Sequence, residues 1–224
     1  MSQVPANSSS HPLVVAITGA SGAVYAVRLL QLLTQADREI HLTISPSGAA
    51  VILQELGFQL DLSQPDLQRL LGHVASWSTS AGVSDLANRA AESVSGCVHY
   101  HRYDDYMTPI ASGSFQTSAM VVCPCSGSTL SGIARAASSN LIQRAAEVHL
   151  KEQRKLVLVP RETPLSVLQL ENMHRLAASG AVLLPAMPGW YHGVSDLDSL
   201  VDFVVSRILD QLSVDNEVMH RWGG

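Results

Sequence analysis

Short unbroken apolar runs alternate along this chain with longer stretches of helical spacing. Leu13 to Thr18 is the first run, and its continuity is that of a strand buried on both faces. The segment Val24 to Thr34 is apolar at Val24, Val27, Leu29, Leu30, Leu32 and Leu33, and Ser21 stands where a cap for that helix is expected. Glu39 to Ser45 predicts a second strand and Ala49 to Leu56 its crossover helix. Helical spacing returns over Leu60 to Leu71, whereas Ser76 to Gly96 is rich in Ser, Ala and Gly and fits a loop, a short helix or both. Cys97 to Tyr103 predicts a third strand, Asp104 to Pro109 a loop and Ser112 to Ala119 a helix. Met120 to Pro124, Leu156 to Pro160 and Ala181 to Pro185 predict three further strands. Helices are expected from Ser128 to Ala137, Leu141 to Glu152, Pro164 to Ser179 and Leu197 to Leu212. Strands alternating with helices predict an α/β fold with a mainly parallel sheet covered on both faces. Ligands then bind beyond the carboxyl ends of the strands.

Three Ser/Gly clusters follow apolar runs on this reading: Thr18-Gly19-Ala20-Ser21-Gly22, Ala111-Ser112-Gly113-Ser114 and Cys125-Ser126-Gly127-Ser128-Thr129. A strand that ends in glycines and small hydroxyls and then opens a helix presents free N–H groups and a helix dipole to an anion. Three such turns on one sheet suit a large phosphorylated ligand. No G-x-S-x-G, H-E-x-x-H or Walker pattern occurs, so serine hydrolase, zinc protease and P-loop readings have little support.

Composition narrows the classes. The 224 residues are 46% hydrophobic, enough for one substantial core, which predicts one domain over residues 12–224 behind a disordered, Ser-rich tail over residues 1–11. A net charge of −5 without a basic run argues against nucleic acid. No apolar stretch reaches the roughly 18 residues of a membrane span, and the start lacks the regions of a signal peptide. Three cysteines, an odd number, argue against a disulfide scaffold and for the cytoplasm. The abundance of small and apolar residues favours a homo-oligomer.

Individual motifs admit plain readings beside chemical ones. Cys123-Pro124-Cys125 has the wrong spacing for a C-x-x-C set and reads as structural cysteines, so no metal is expected. His99 and His101 share a face, but their Tyr and Arg neighbours suit a surface or interface strand. Arg161-Glu162 directly follows a buried strand, where both side chains meet the ligand edge of the sheet. Arg144, Glu147, Lys151, Glu152 and Arg154 have the spacing of a solvated helix face. Gly189-Trp190-Tyr191-His192 is either core packing or a wall of the site.

Taken in order, these motifs resemble the flavin prenyltransferase family, the UbiX-type proteins, over residues 12–224. The matching pieces are Thr18 to Ala23, Ala111 to Ser114, Cys123 to Ser126 with Thr129-Leu130-Ser131, Asn140-Leu141-Ile142, Arg144-Ala145-Ala146, Leu150-Lys151-Glu152, Leu156 to Glu162, Gly180-Ala181-Val182, Tyr191-His192 and Arg221-Trp222-Gly223. The resemblance implies a Rossmann-like, flavodoxin-like three-layer sandwich and a homo-oligomer, commonly a dodecamer. It implies metal-independent transfer of a dimethylallyl group from dimethylallyl monophosphate to N-5 and C-6 of reduced FMN. The product serves UbiD-type decarboxylases, often in ubiquinone biosynthesis.

The resemblance also implies residue roles. FMN falls to Gly19, Ala20, Ser21, Ser45, the turn Ser126, Gly127, Ser128 and Thr129, and Arg161. The prenyl phosphate falls to Ser112, Arg144, Lys151, Arg161, Glu162, Tyr191 and Arg207, some of them from neighbouring subunits. Glu55 and Glu162 match acidic catalytic positions, with Ser21 and Glu55 handling protons at the flavin. The chemistry agrees, because a departing phosphate needs clustered cations and a proton source, and an allyl cation needs an aromatic face. Tyr106 supplies that face where relatives often carry Trp, and Pro46 stands where they often carry Lys. Gly57 to Gly96 carries no assigned role. An FMN-dependent cysteine decarboxylase of similar fold is the first alternative, but its early His and Asn-rich motif are missing from the expected places. A non-enzymatic flavin carrier is the second, and it has no need of four cations facing an acid.

Overall fold

The computed structural model describes residues 11–219. Residues 1–10 of the expected tail and the motif at Arg221 lie outside them. Six strands, β1 (Leu13–Ile17), β2 (Ile40–Ile44), β3 (Val98–His101), β4 (Ala119–Cys125), β5 (Lys155–Pro160) and β6 (Val182–Leu183), form one sheet in the order β3-β2-β1-β4-β5-β6. Every pairing is parallel, with Leu13 beside Ile40 on one side and beside Ala119 on the other. Eight helices cover it: α1 (Ala23–Gln35), α2 (Pro46–Leu56), α3 (Leu67–Leu71), α4 (Ala81–Cys97), α5 (Gly127–Ala134), α6 (Leu141–Lys151), α7 (Val167–Ala178) and α8 (Leu197–Leu212).

Alternation within β1 divides the core between the two faces. Leu13, Val15 and Ile17 pack with Leu29, Leu30 and Leu33 of α1 and with Val205 and Ile208 of α8. Val14 and Ala16 pack with Leu141, Ile142 and Ala145 of α6 and with Leu176 of α7. β1, β2 and β4 are buried along their whole length between two helix layers, β1 and β4 as apolar runs and β2 with His41 and Thr43 among its buried residues. The result is the α/β three-layer sandwich. β1 proceeds to β2 on one side while β4 lies on its other, so a crevice opens beyond the carboxyl ends of β1 and β4.

Several local expectations are corrected. Ser112 to Ala119 is not a helix. A single 3-10 turn, Pro109–Ala111, is followed by irregular chain down to β4. The connection must travel from the edge strand β3 to the centre of the sheet, and Arg154 takes the carbonyls of Gly113 at 2.6 Å and Phe115 at 2.7 Å that a helix would use internally. The Ser112 cluster therefore precedes a strand instead of following one. Ser76 to Gly96 resolves into the 17-residue α4, capped by Ser80 and buried along Val83, Leu86, Ala87, Ala90 and Val94. Only Leu67–Leu71 of the Leu60 to Leu71 segment is helical, because Asp66 caps a new start and Phe58 and Leu60 are buried ahead of it. Cys97 ends α4 and does not begin β3.

Candidate active site

The carboxyl edge is assembled by Thr18. Its hydroxyl donates to the Pro124 carbonyl at 2.8 Å and accepts from the Ser126 N–H at 2.8 Å. One buried side chain thus ties the turn after β1 to the turn after β4 across the crevice. Sequence reasoning gave Thr18 no role of its own, although a hydroxyl at the first strand end was visible. Ser126 caps α5, its Oγ accepting from the Thr129 N–H at 3.3 Å and lying 3.2 Å from Ser128 Oγ. Among the described residues the N–H groups of Gly127 and Ser128 meet no acceptor in the chain, which leaves the α5 start open to an anion. Ser45 caps α2 by accepting from Gly48 N–H at 3.0 Å, and Pro46 occupies the first helical position, where its missing N–H is no loss. Gly19 lies against Ser47 of that helix start, so the three turns converge.

The start of α1 differs from the expectation. Ser21 does not cap it. Gly22 occupies the cap position at φ 115°, a left-handed conformation that favours glycine, and no side chain of its own turn closes the helix. Glu55 does so from α2, its carboxylate accepting from Gly22 N–H at 2.9 Å and Ala23 N–H at 2.8 Å. The anion at this helix start is therefore internal, whereas the α5 start, another turn expected to cradle a phosphate, keeps its N–H groups open. Arg161 Nε donates to the Ser21 carbonyl at 3.1 Å. The Ser21–Gly22 peptide is thus held by Arg161 on its oxygen and by Glu55 on its nitrogen, while the Ser21 side chain remains exposed.

A cleft of 420 Å³ opens beside this point, lined by Arg161, Glu162, Met173, Pro185 and Met187. A second cleft of 320 Å³ shares Pro185 and Met187 and reaches Phe203 and Arg207 of α8. Tyr191 stands edge-on to Phe203 with centroids 5.7 Å apart, so Tyr191 and Arg207 border the same edge as Arg161 and Glu162. Of the aromatic cluster, Tyr191 and His192 thus pack on Phe203, which lines the second cleft, while Trp190 is exposed. Tyr25 of α1 lies near Glu55 and Arg161, and burial raises its hydroxyl above the ordinary tyrosine range.

The remaining predicted residues form a second group on the outer flank of α6. Arg144 Nε donates to the Ala111 carbonyl at 3.0 Å, Lys151 packs on Gly113 beside Ser112, and Tyr106 donates to the Ser138 carbonyl at 3.1 Å. Lys151 ends α6 just before the amino end of β5, whereas Glu162 lies past its carboxyl end. The six residues of β5 at roughly 3.3 Å each put about 20 Å between them. The length of β5 therefore keeps Lys151 from Glu162 within one chain.

Cys123 and Cys125 are fully buried in β4, and burial pushes the Cys125 thiol up to about 12, which leaves them as packing groups. Among the described residues, no three His, Cys, Asp or Glu side chains are arranged to hold a metal ion, and no helix is long and apolar enough to cross a membrane.

Comparison with known proteins extends this picture. The flavoprotein family model matches residues 1–209. The flavin prenyltransferase UbiX of Halalkalibacterium halodurans is 45% identical over 209 residues, 93% of this chain and 92% of its own. AnUbiX (PadA1), solved in complex with FMN and dimethylallyl pyrophosphate, has a TM-score of 0.76 at 34% identity and covers 96% of this chain and 98% of its own. A protein from Escherichia coli O157:H7, described as a dodecameric FMN-dependent UbiX-like decarboxylase, has a TM-score of 0.73 at 37% identity over 95% of this chain and 99% of its own. With that identity spread over nearly the whole length, this chain belongs to the flavoprotein family and, within it, to the UbiX flavin prenyltransferases.

Proposed function

We propose that this protein transfers a dimethylallyl group from dimethylallyl monophosphate to reduced FMN. The observation that carries the reading is the meeting of Arg161 and Glu162 with the exposed Ser21 turn at one cleft, next to an α5 start whose N–H groups are unspent. Reduced FMN, when bound, supplies the nucleophilic ring that accepts the prenyl group. The donor set fits its phosphate: Ser126, Ser128 and Thr129 offer hydroxyls around the Gly127 and Ser128 N–H groups, with Ser45, Gly19 and Ala20 adjoining.

Chain residues divide the remaining work. Breaking the allylic C–O bond sends both electrons to the phosphate oxygen. Arg161 and Arg207 offset that charge at the cleft, and Glu162 is the group placed to pass a proton to the departing phosphate. Tyr191 closes one side. The Ser21 hydroxyl serves proton movement at the flavin, and Glu55 adds to this by holding the Ser21–Gly22 peptide in place. Arg144, Lys151, Ser112 and Tyr106 serve the site of a neighbouring copy, a reading supported by the length of β5, which holds Lys151 away from Glu162 within one chain. A homo-oligomer, with a dodecamer as the favoured count, is then part of the active site. We place the protein in the cytoplasm, where its prenylated flavin passes to a UbiD-type decarboxylase, and treat residues 12–224 as a single domain.

The test is anaerobic incubation with reduced FMN and dimethylallyl monophosphate, followed by mass measurement of the extracted flavin. A gain of one dimethylallyl unit is expected. Unmodified flavin with intact donor, beside an active relative, would refute the reading.

A further inference from the structure

Three of the four cations assigned to the donor phosphate already carry a carboxylate from their own helix or its end. Arg144 Nη1 lies 3.6 Å from Glu147. Lys151 Nζ is paired with Glu152. Arg207 Nη1 lies 2.8 Å from Asp210. Arg161 instead binds the Ser21 carbonyl through Nε. Isolated surface pairs of this kind are worth little and need no purpose. These three are more than loose pairs, because other parts of the chain hold them in place.

Glu147 also accepts from the Ser138 hydroxyl. Asp210 accepts from the Asn216 amide at 3.3 Å, and Asn216 is in turn fixed by Ser206 Oγ at 2.9 Å. The Lys151–Glu152 pair occupies the space where a side chain at residue 113 would begin. A Cβ on Gly113 would lie 2.9 Å from Lys151 Nζ, and nearer still to Glu152, so glycine at 113 leaves the pair its room. The neighbouring Lys151 ammonium, through its hydrogen bond, holds the Glu152 carboxyl below the usual glutamate range.

The carboxylates travel with their cations into whatever assembly joins the two groups of the site. An incoming phosphate must then compete with three fixed negative charges. A monophosphate ester brings about two negative charges near neutral pH, and a diphosphate ester brings more. Each additional ligand charge meets the same three carboxylates and gains less from cations that are largely neutralised.

We propose that Glu147, Glu152 and Asp210 are specificity-determining residues that lower the effective charge of the donor site and so select a monophosphate over a diphosphate. The inference rests on the assignment of Arg144, Lys151 and Arg207 to the donor phosphate made above. It concerns discrimination, not the transfer step.

Calorimetric titration of the full-length protein with inorganic phosphate and with pyrophosphate tests it without requiring turnover. Glu152→Gln and Asp210→Asn are expected to tighten pyrophosphate roughly threefold more than phosphate, with the gain shrinking as salt is raised. Glu147→Gln removes the third carboxylate at a separate cation and should shift the ratio the same way, which guards against a folding defect in Asp210→Asn. Glu92→Gln, on the exposed side of α4, is the control and should leave the ratio unchanged. Equal tightening of both anions, or no change in Glu152→Gln and Glu147→Gln, overturns the inference. Phosphate binding untouched by Lys151→Ala and Arg207→Ala instead removes the cation assignment, and the inference with it. Absence of prenylated flavin alongside a shifted ratio refutes the proposed transfer while leaving the discrimination in place.

Discussion

Arg28 sets the relation between α1, whose start carries Ser21, and α8, which carries Phe203 and Arg207. Its guanidinium donates to Asp198 at 2.9 Å and lies 3.4 Å from Asp202, with side-chain exposures of 7%, 10% and 17% for the three residues. Ser78 adds a 2.6 Å hydrogen bond to the other Asp198 oxygen, which pins the chain ahead of α4 to the same point. Arg28→Met keeps the aliphatic volume and removes the only cation paired with these two carboxylates among the described residues. Breaking a buried pair by deleting one partner costs about 3–5 kcal/mol, because the other charge remains desolvated. Burial already pushes Asp202 up to about 6 against the opposing pull of Arg28, so the loss of that cation raises it further. The sign follows: a carboxyl with a folded pKa above its unfolded value penalises the folded state above that folded pKa and ceases to do so as the pH falls below the unfolded one. The deficit of Arg28→Met should therefore be full above the raised folded-state pKa of Asp202 and shrink as the pH falls towards about 4. Urea unfolding at fixed protomer concentration, repeated across pH, measures both features. A loss under about 1 kcal/mol, the size of an exposed pair, or a deficit that does not change with pH would refute the reasoning.

Glu55→Ala should destabilise the fold by about 1–2 kcal/mol as a lost helix cap, with Glu55→Gln retaining part of that, and chemical denaturation that finds no difference would remove the cap role. Glu162→Gln is expected to bind phosphate and FMN but to slow prenyl transfer by about 10²-fold or more, read as kcat with little change in KM. Lys151→Ala and Glu162→Gln should each be strongly slowed alone yet regain turnover when the two variants are assembled together, since a mixed oligomer then contains intact composite sites; no recovery would place the whole site in one chain. His149 is 1% exposed, and burial holds its imidazole down at about 4, so the folded state resists protonation. Its contribution to stability is present above the ordinary pKa of about 6.5 and is lost as the pH falls towards 4, amounting to about 2 kcal/mol by pH 5. His149→Gln should lack that loss, which unfolding curves at two pH values will show.

The local order of the sandwich was legible because parallel strands buried on both faces read as apolar runs, as β1, β4 and β5 after Lys155 do. Motif order likewise made the family readable, since Thr18 to Gly22, Ser126 to Thr129 and Arg161-Glu162 each sit at a strand end and keep their meaning without tertiary context. What one-dimensional pattern does not hold is the identity of distant partners. Ser21 has the composition of a helix cap, yet the carboxylate that closes α1 arrives from Glu55, 33 residues on. The Ser112 cluster has the composition of a strand-to-helix turn, yet Arg154 claims its carbonyls and leaves it as irregular chain ahead of β4. Arg144 and Lys151 look like companions of Arg161, but the length of β5 separates Lys151 from Glu162 within one chain. Composition and spacing thus determined the central strands, most of the helices, the α/β class and the chemistry available. Hydrogen bonds between residues far apart in sequence decided which helix start is left for a phosphate, and the path of the chain through β5 decided that Lys151 and Glu162 stay apart within one chain.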